Sequence, residues 1–252
     1  MDFEAYLQRI GLKSDDLAVD LPSLQTLQRS HLFKVPFENL DIHWKRPIVI
    51  DTDKFFEKIV TTKRGGFCYE LNGLFNELLR HLDFKTRLIS ARVFNGNEHG
   101  PEFDHAAILV DLEEGTFLAD VGFGEFAAEP LHFVIDEIQE DPNGIFTIAR
   151  LEGGALDVKK KVDGNWVSQY IFADKERVLS EFAEMCDFQQ YSPDSHFTKK
   201  KVCSVMTSNG RKTLAGDKLI ITSGGERIET PVNGDEEFER VLAAEFGIVK
   251  LQ

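Results

Sequence analysis

The chain has 252 residues, of which 42% are hydrophobic and 29% are charged, a composition typical of globular proteins with a buried core. Lys and Arg number 29 against 43 Asp and Glu, and the resulting formal charge of −14 argues against binding to a nucleic acid. No apolar run approaches the roughly 18 residues that a membrane span needs. The acidic N-terminus has no signal core, so we expect a cytoplasmic protein without membrane contact.

Three cysteines occur along the chain, Cys68, Cys186 and Cys203. Their number is odd, their spacings are wide, and no two of them form a CxxC pair. Neither a disulfide framework nor a zinc site is therefore expected, and no bound metal is predicted. Each thiol has to be considered on its own.

The first third of the sequence has the apolar periodicity of helices. Helices are predicted over residues 2–10, 21–33, 52–61 and 67–82. The last is the clearest, because its apolar residues recur every three or four positions and form one continuous stripe. This helix follows Gly65 and Gly66, which allow a sharp backbone turn, and its stripe is expected to face a core.

From residue 85 the sequence changes to short runs rich in Val, Ile, Phe and Thr, separated by Gly, Asn and Asp. Strands are predicted over residues 85–94, 105–112, 115–123, 130–135, 144–151, 155–162 and 165–172. Beyond them the pattern predicts a helix over 174–187, strands near 201–207, 211–215, 217–223 and 226–230, and a last helix over 235–246. The chain is therefore predicted to be an α+β protein, in which a helical segment precedes a β unit and a mixed segment.

Cys68 lies in the first turn of the clearest predicted helix. A helix start presents unpaired N–H groups and the positive end of the helix dipole, so a thiolate is favoured and the pKa of the thiol is expected to fall. The same N–H groups could hold the oxyanion of a tetrahedral intermediate. The alternative is a buried structural cysteine, and we accept that role for Cys186 and Cys203, which sit in apolar stretches.

A nucleophilic cysteine needs a base, and seven histidines are available. If residues 113–114 form a two-residue turn between strands, His105 lies diagonal to Asp120 on one face of the hairpin. Asp120 stands in an otherwise apolar run, and a buried carboxylate needs a partner. Two simpler alternatives remain open: Asp120 caps a turn before Gly122, and His105 is an ordinary hydrogen-bonded strand residue.

Four stretches of the chain resemble the arylamine N-acetyltransferase family. They are VPFENL at residues 35–40, RGGFCYELNGLF at residues 64–75, His105 at the head of an apolar strand, and DVGFG at residues 120–124. Their order and separations also fit, with 37 positions from Cys68 to His105 and 15 from His105 to Asp120. The resemblance extends from about residue 3 to about residue 200 and is loose beyond it.

This resemblance implies a catalytic triad with Cys68 as the nucleophile, His105 as its proton partner and Asp120 as the residue that orients the imidazole. It implies an N-terminal helical bundle, a central antiparallel β-barrel-like domain and a C-terminal α/β lid, around a papain-like cysteine-enzyme core. We accordingly predict domains over residues 1–84, 85–190 and 191–252. The nucleophile belongs to the first of them, and His105 and Asp120 belong to the second.

The resemblance also implies binding residues. Phe37 and Phe123 match aromatic positions that line the acceptor pocket, with ordinary core packing as the alternative for each. Gly124 is the candidate coenzyme contact, because glycine lets a ligand approach the backbone, and a simple turn is its alternative. Glu38 and Arg64 match positions that hold the catalytic turn through an ion pair, although solvated charges would look the same in sequence.

The implied reaction moves an acetyl group from acetyl-coenzyme A through a cysteine thioester to the nitrogen of an arylamine, arylhydrazine or arylhydroxylamine, as in xenobiotic metabolism. Residues 125–129 depart from the family pattern, which leaves the coenzyme contacts open. The basic run at residues 199–201 either attracts coenzyme phosphates or is a solvated face. The rival functions are a papain-like or transglutaminase-like cysteine enzyme with the same triad and a non-catalytic ligand-binding relative.

Overall fold

A computed structural model of the chain describes residues 1–250, so the predicted third domain is described up to residue 250. Its helices are α1 (Phe3–Ile10), α2 (Leu21–Lys34), α3 (Leu40–Trp44), α4 (Thr52–Phe56), α5 (Cys68–His81), α6 (Ala183–Tyr191) and α7 (Gly234–Phe246). Single turns of 3-10 helix lie at Ser14–Asp16, Leu179–Phe182 and His196–Thr198, and a π-turn at Glu57–Thr61 continues α4. No helix within residues 1–250 is long and apolar enough to cross a bilayer.

Local sequence explains where the first helices begin and end. The Asp2 carboxylate accepts a hydrogen bond from the Ala5 N–H at 3.1 Å, and Asp20 caps α2 by accepting one from the Ser23 N–H at 2.9 Å. The first helix ends at Gly11, whose φ of 82° places it in the left-handed conformation usual after a helix. Both helices pack with α5 in one apolar core.

The strands belong to two antiparallel sheets. In chain order they are β1 (Phe37–Glu38), β2 (Lys85–Val93), β3 (His105–Leu112), β4 (Gly115–Ala119), β5 (Leu131–His132), β6 (Gln139–Asp141), β7 (Gly144–Arg150), β8 (Leu156–Val162), β9 (Asn165–Phe172), β10 (Val202–Thr207), β11 (Gly210–Ala215), β12 (Lys218–Ser223) and β13 (Glu226–Pro231). The larger sheet has the order β5-β4-β3-β2-β9-β8-β7-β6, and the smaller one has the order β1-β10-β11-β12-β13.

The larger sheet is a nearly closed barrel because its two edge strands are joined by a side chain. Gln139 of β6 accepts a hydrogen bond from the His132 N–H of β5 at 2.7 Å and donates one to the His132 carbonyl at 2.8 Å. This side chain takes the place of the ladder that would close the sheet, and it satisfies backbone groups at both edges. The predicted β-barrel-like unit and the α+β class are therefore confirmed.

Strand β3 is buried on both faces, which explains its continuous apolar sequence. Ala106, Ile108 and Val110 belong to the core shared with the helices, whereas Ala107 and Leu109 belong to the core inside the barrel. A third core lies between the smaller sheet and α7. His105, the first residue of β3, thus stands where the helical core meets the barrel.

The predicted hairpin between β3 and β4 is confirmed, with Leu112 opposite Gly115 and Ile108 opposite Ala119. The predicted extension of the second strand to residue 123 is wrong, because the strand ends at Ala119. Beyond it the backbone N–H groups of residues 120–122 donate to side chains instead of to a neighbouring strand. Because these N–H groups no longer pair with a strand, β4 ends and the chain continues as a loop that begins at Asp120.

The predicted helix over residues 174–187 is wrong in its first part. The Arg177 N–H donates to the Leu88 carbonyl of β2 at 2.8 Å, which is incompatible with a helical bond at that position. A 3-10 turn begins only at Leu179, and α6 then runs from Ala183 to Tyr191. The domain boundaries near residues 84 and 190 stay predictions.

Candidate active site

The turn before α5 is held against the VPFENL stretch by backbone contacts. The Glu38 N–H donates to the Gly66 carbonyl at 2.8 Å, and the Gly66 N–H donates to the Pro36 carbonyl at 3.3 Å. A Cβ added at Gly65 would lie 1.9 Å from the Pro36 carbonyl oxygen, so this position requires glycine. The two stretches form one unit, and Cys68 begins α5 directly after it.

His105 and Asp120 form the contact predicted from the hairpin register. His105 Nε2 lies 2.7 Å from Asp120 Oδ2, and both side chains are buried. Because Nε2 is engaged by the carboxylate, Nδ1 is the ring nitrogen left for a thiol or a substrate. Cys68 and His105 line the same cavity, without a hydrogen bond between them among the described residues.

The Asp120 carboxylate is held by three further donors. Its Oδ1 accepts hydrogen bonds from Asn72 Nδ2 at 2.8 Å and from the Gly122 N–H at 2.9 Å, and its Oδ2 accepts one from the Tyr170 hydroxyl at 3.2 Å. The two interpretations of Asp120 are therefore not exclusive, because the carboxylate caps the turn before Gly122 and also contacts the imidazole. Its orientation toward His105 is fixed from several sides.

Asn72 connects α5, the helix that begins at Cys68, to Asp120 and to the backbone next to His105. Besides Asp120 it contacts the Ala106 carbonyl through Nδ2 at 2.6 Å and the Val121 N–H through Oδ1 at 2.9 Å. It lies one helical turn after Cys68 on the buried face of α5. Sequence reasoning did not single it out, although an amide within a buried apolar stripe is a signal that such a residue is bonded.

All the predicted contact residues except Asp120 line one cavity of about 190 Å³: Phe37, Cys68, His105, Phe123 and Gly124. The Phe123 ring lies edge-on to the His105 imidazole, with ring centroids 5.2 Å apart. Phe37 also packs on the helical core, so lining and core packing both apply to it. A Cβ at Gly124 would meet no atom within 4 Å, which leaves the backbone there open to a ligand.

Asp104, the residue before His105, is a charged member of the cavity wall that sequence reasoning missed. Its Oδ1 accepts a hydrogen bond from Gln189 Nε2 at 2.7 Å, and Gln189 in turn accepts one from the Ser195 hydroxyl at 2.5 Å. Burial raises the pKa of Asp104, partly opposed by the neighbouring His105. The cavity wall thus combines several aromatic rings with one carboxyl group, that of the half-buried Asp104.

The surroundings of Cys68 oppose ionisation of the free thiol. Burial raises its pKa, the negative charges of Asp104 and Asp120 raise it further, and a hydrogen bond from the Ala106 backbone partly compensates. This direction is opposite to the one expected from the helix start alone. Ionisation of the thiol therefore depends on a group that can accept its proton nearby.

Replacing Asp104 by Asn is expected to lower the pKa of Cys68, because the substitution removes a negative charge that raises it. The thiol should then react faster with iodoacetamide at a fixed neutral pH, and its alkylation profile should shift to lower pH. Replacing Glu102, which is exposed and two positions away, by Gln serves as the control and should leave the profile unchanged. An unshifted profile in Asp104→Asn would contradict this electrostatic assignment.

Comparisons with known proteins agree with this geometry. Residues 20–251 match the family model described as N-acetyltransferase. The arylamine N-acetyltransferase of Escherichia coli (strain K12) is 33% identical, over 89% of this chain and 80% of that protein. The pineal gland isozyme NAT-10 of Gallus gallus, also an arylamine N-acetyltransferase, is 31% identical, over 98% of this chain and 94% of that protein.

The chain belongs to the arylamine N-acetyltransferase family. Its fold agrees with that of the Mycobacterium marinum arylamine N-acetyltransferase solved in complex with CoA, with a TM-score of 0.89 and 25% identity over 98% of this chain and 93% of that one. The chain is therefore an acetyltransferase enzyme. The buried contact between His105 and Asp120 lies beside the cavity that Cys68 and His105 line.

In this acetyltransferase a buried cluster of five charges holds the turn before Cys68. Arg64 contacts Glu38 at 2.6 Å and Asp41 at 2.5 Å, while Lys58 lies 2.9 Å from Asp41 and 2.8 Å from Glu70. The predicted ion pair between Glu38 and Arg64 is therefore present, within a larger network. Burial raises the pKa of Glu70 to about 7, although the charge of Lys58 opposes this effect. The turn before Cys68 is thus fixed by charges excluded from water.

Replacing Arg64 by Ala is expected to lower the free energy of unfolding by about 3–5 kcal/mol, because it leaves three buried carboxylates, those of Glu38, Asp41 and Glu70, to share the single cation of Lys58. Urea denaturation measures this change. The control is Arg29→Ala, which breaks an exposed ion pair with Glu129 and should cost less than about 1 kcal/mol. Equal losses in the two variants would show that the cluster does not hold the turn.

The other two cysteines and the basic run at residues 199–201 do not line this cavity. Cys186 and Cys203 are buried. Burial raises the pKa of Cys186 to about 12, and it also raises the pKa of Cys203. In the basic run, Lys201 pairs with Asp235 at 2.7 Å, whereas Lys199 and Lys200 are exposed. The solvated interpretation of this run is the one that the structure favours.

Proposed function

We propose that this enzyme carries an acetyl group from acetyl-coenzyme A to the nitrogen of an aromatic amine or hydrazine, through an acetyl thioester on Cys68. The observation that carries the proposal is that Cys68 and His105 share one apolar cavity while His105 is oriented by the buried Asp120. This arrangement supports the roles of Cys68 as nucleophile, His105 as its base and Asp120 as the group that orients the base. The family membership supports the same assignment.

In the first half-reaction His105 Nδ1 takes the proton of the Cys68 thiol, and the thiolate attacks the carbonyl carbon of the donor thioester. The carbonyl oxygen gains negative charge, which the N–H groups at the start of α5 stabilise. The carbon–sulfur bond to coenzyme A then breaks, and the leaving sulfur takes the proton back from His105. Asp120 stabilises the imidazolium formed between these steps.

In the second half-reaction the amine nitrogen attacks the acetyl-cysteine, the bond from carbon to the Cys68 sulfur breaks, and His105 removes the excess proton from nitrogen. Arylamines are uncharged at neutral pH, so an aromatic slot suits them. Phe37 and Phe123 line such a slot, and Phe197 extends it, with its ring centroid 6.1 Å from that of Phe37. A predominantly apolar wall also keeps water from the thioester.

Two features support coenzyme A as the carrier of the donor. The Mycobacterium marinum relative was solved in complex with CoA. Gly124 lines the cavity with open space beside its Cα, and we propose that the donor passes over this backbone.

No group of three or more His, Cys, Asp or Glu residues within residues 1–250 is arranged to hold a metal, and the proposed chemistry uses none.

Initial rates test this two-step scheme. With acetyl-coenzyme A and an arylamine such as 4-methylaniline both varied, double-reciprocal plots should give parallel lines, because the donor product leaves before the amine reacts. In the absence of amine, one equivalent of coenzyme A should be released per enzyme in a burst. Intersecting lines together with no burst would refute the thioester intermediate. Measurements with an arylhydrazine then extend the acceptor class.

A further inference from the structure

A second cavity, here called the cationic groove, lies where the barrel meets the smaller sheet. Its volume is about 220 Å³, and its lining includes Glu125, Asn143, Lys160, Arg211, Thr222 and Arg227. Lys160 comes from β8 of the barrel, whereas Arg211 and Arg227 come from β11 and β13 of the smaller sheet. Three cations from two sheets therefore surround one small cavity, and the catalytic mechanism uses none of them.

Two of these cations are partly buried without a carboxylate partner. Lys160 Nζ donates to the Glu125 backbone carbonyl at 3.2 Å, and Arg211 donates to the Ser204 hydroxyl at 3.1 Å. Within residues 1–250 neither forms an ion pair, whereas Arg227 is paired with Glu229 at 2.6 Å. A charge removed from water without a counter-ion is costly, so such an arrangement points to an anion that arrives from outside.

The negative groups near the cationic groove do not neutralise it. The exposed Glu125 carboxyl and Asp141 act on Lys160 from a distance, and Arg211 opposes them. Burial lowers the pKa of Lys160 and that of Arg211, with Glu125 raising both in part. Because Arg227 is already paired with Glu229, only Lys160 and Arg211 are counted against the lining Glu125, and the groove remains positive, which suits an anionic ligand.

The cationic groove adjoins the reaction cavity along the chain. Gly124 lines the reaction cavity and Glu125 lines the groove, and consecutive Cα atoms are only about 3.8 Å apart. Coenzyme A is a long molecule with its thioester at one end and its phosphates at the other. A donor whose acetyl group reaches Cys68 past Gly124 would leave its phosphates on the side of residue 125.

We propose that the cationic groove binds phosphate groups of the acetyl donor, with Lys160 and Arg211 as their principal ligands and Arg227 at the rim. This assignment rests on the proposed function. It also explains why the protein, with a formal charge of −14, keeps two partly buried cations unpaired next to its reaction cavity. The exposed run at residues 199–201 is not needed for this role.

Two donors separate phosphate recognition from chemistry: acetyl-coenzyme A, and S-acetylpantetheine, which has the same thioester but no phosphate. Lys160→Ala and Arg211→Gln are each expected to lower kcat/KM for acetyl-coenzyme A by about 10- to 100-fold, because each removes a charge-assisted hydrogen bond to phosphate. With S-acetylpantetheine the variants should match the wild type. Lys161→Ala, which alters the next residue along β8, is the control and should leave kcat/KM unchanged for both donors.

The outcomes distinguish the alternatives. Equal losses of kcat/KM with both donors in Lys160→Ala and Arg211→Gln would overturn the proposal, because they would indicate a structural effect. Unchanged kcat/KM with both donors would also overturn it. Inorganic phosphate that binds wild type but not Lys160→Ala, without inhibiting use of acetyl-coenzyme A, would overturn the donor assignment in favour of a separate anion site. Failure of the wild type to acetylate Cys68 with either donor would instead refute the proposed function.

Discussion

Replacing Cys68 by Ala is expected to abolish acetyl transfer from acetyl-coenzyme A, because no other thiol can form the acetyl intermediate at this cavity. Removal of the nucleophile from a catalytic triad lowers kcat by roughly 10⁶-fold, so we expect no turnover above background. The fold should persist, since the substitution removes one sulfur and leaves the charge cluster around Arg64 intact. Coenzyme A release and urea unfolding measure the two properties separately.

The matched controls are the two other buried cysteines. Neither Cys186 nor Cys203 lines the reaction cavity, so Cys186→Ala and Cys203→Ala should retain acetyl transfer. Their substitution shows whether a general loss of cysteine packing affects turnover. Residual transfer by Cys68→Ala at a rate comparable to these controls would mean that the acetyl group does not pass through residue 68.

Replacing Asp120 by Asn is expected to slow acetylation by about 10⁴-fold, the loss seen when the acid of a Ser-His-Asp triad is changed to its amide. The reason is the tautomer of His105. An Asn side chain can donate to Nε2, which places the ring proton on Nδ1 and leaves no acceptor for the Cys68 proton. Single-turnover release of coenzyme A measures the rate, and alkylation of Cys68 against pH reports on the imidazole.

Tyr170→Phe provides the comparison for Asp120→Asn. Its hydroxyl donates to the same carboxylate oxygen at 3.2 Å, but its loss leaves Asp120 ionised and bonded to Asn72 and Gly122. We expect a decrease of about tenfold, the value of one hydrogen bond to a charged group. If Asp120→Asn were no worse than Tyr170→Phe, orientation of the imidazole by the carboxylate would not limit the reaction.

The sequence alone predicts those parts of the fold and the site that are determined by interactions between residues close together in the chain. The pairing of β3 with β4 follows from a two-residue turn between two strand-like runs, so the approach of His105 to Asp120 could be predicted without a structure. The buried stripe of α5 and the turn at Gly65 are likewise determined by residues that follow one another in the sequence. Resemblance to a family then supplied the roles of these residues.

The rest depends on contacts between distant parts of the chain. Phe37 pairs with Ser204 across the smaller sheet, and no local pattern indicates that two residues form a strand there. The end of β4 at Ala119 is set by acceptors on Gln28 and Asn72, which lie far away in sequence. Burial and the negative charges around the Cys68 thiol also come from the assembled fold, which is why the direction of its pKa was not foreseen.

The central claim is that Cys68 carries the acetyl group. The most direct test is the mass of the wild-type protein after incubation with acetyl-coenzyme A in the absence of an acceptor, followed by peptide mapping. We predict a mass increase of one acetyl group located on Cys68, which disappears when an arylamine is added. An unchanged mass, or an acetyl group found on Cys186, Cys203 or a lysine instead, would contradict this account.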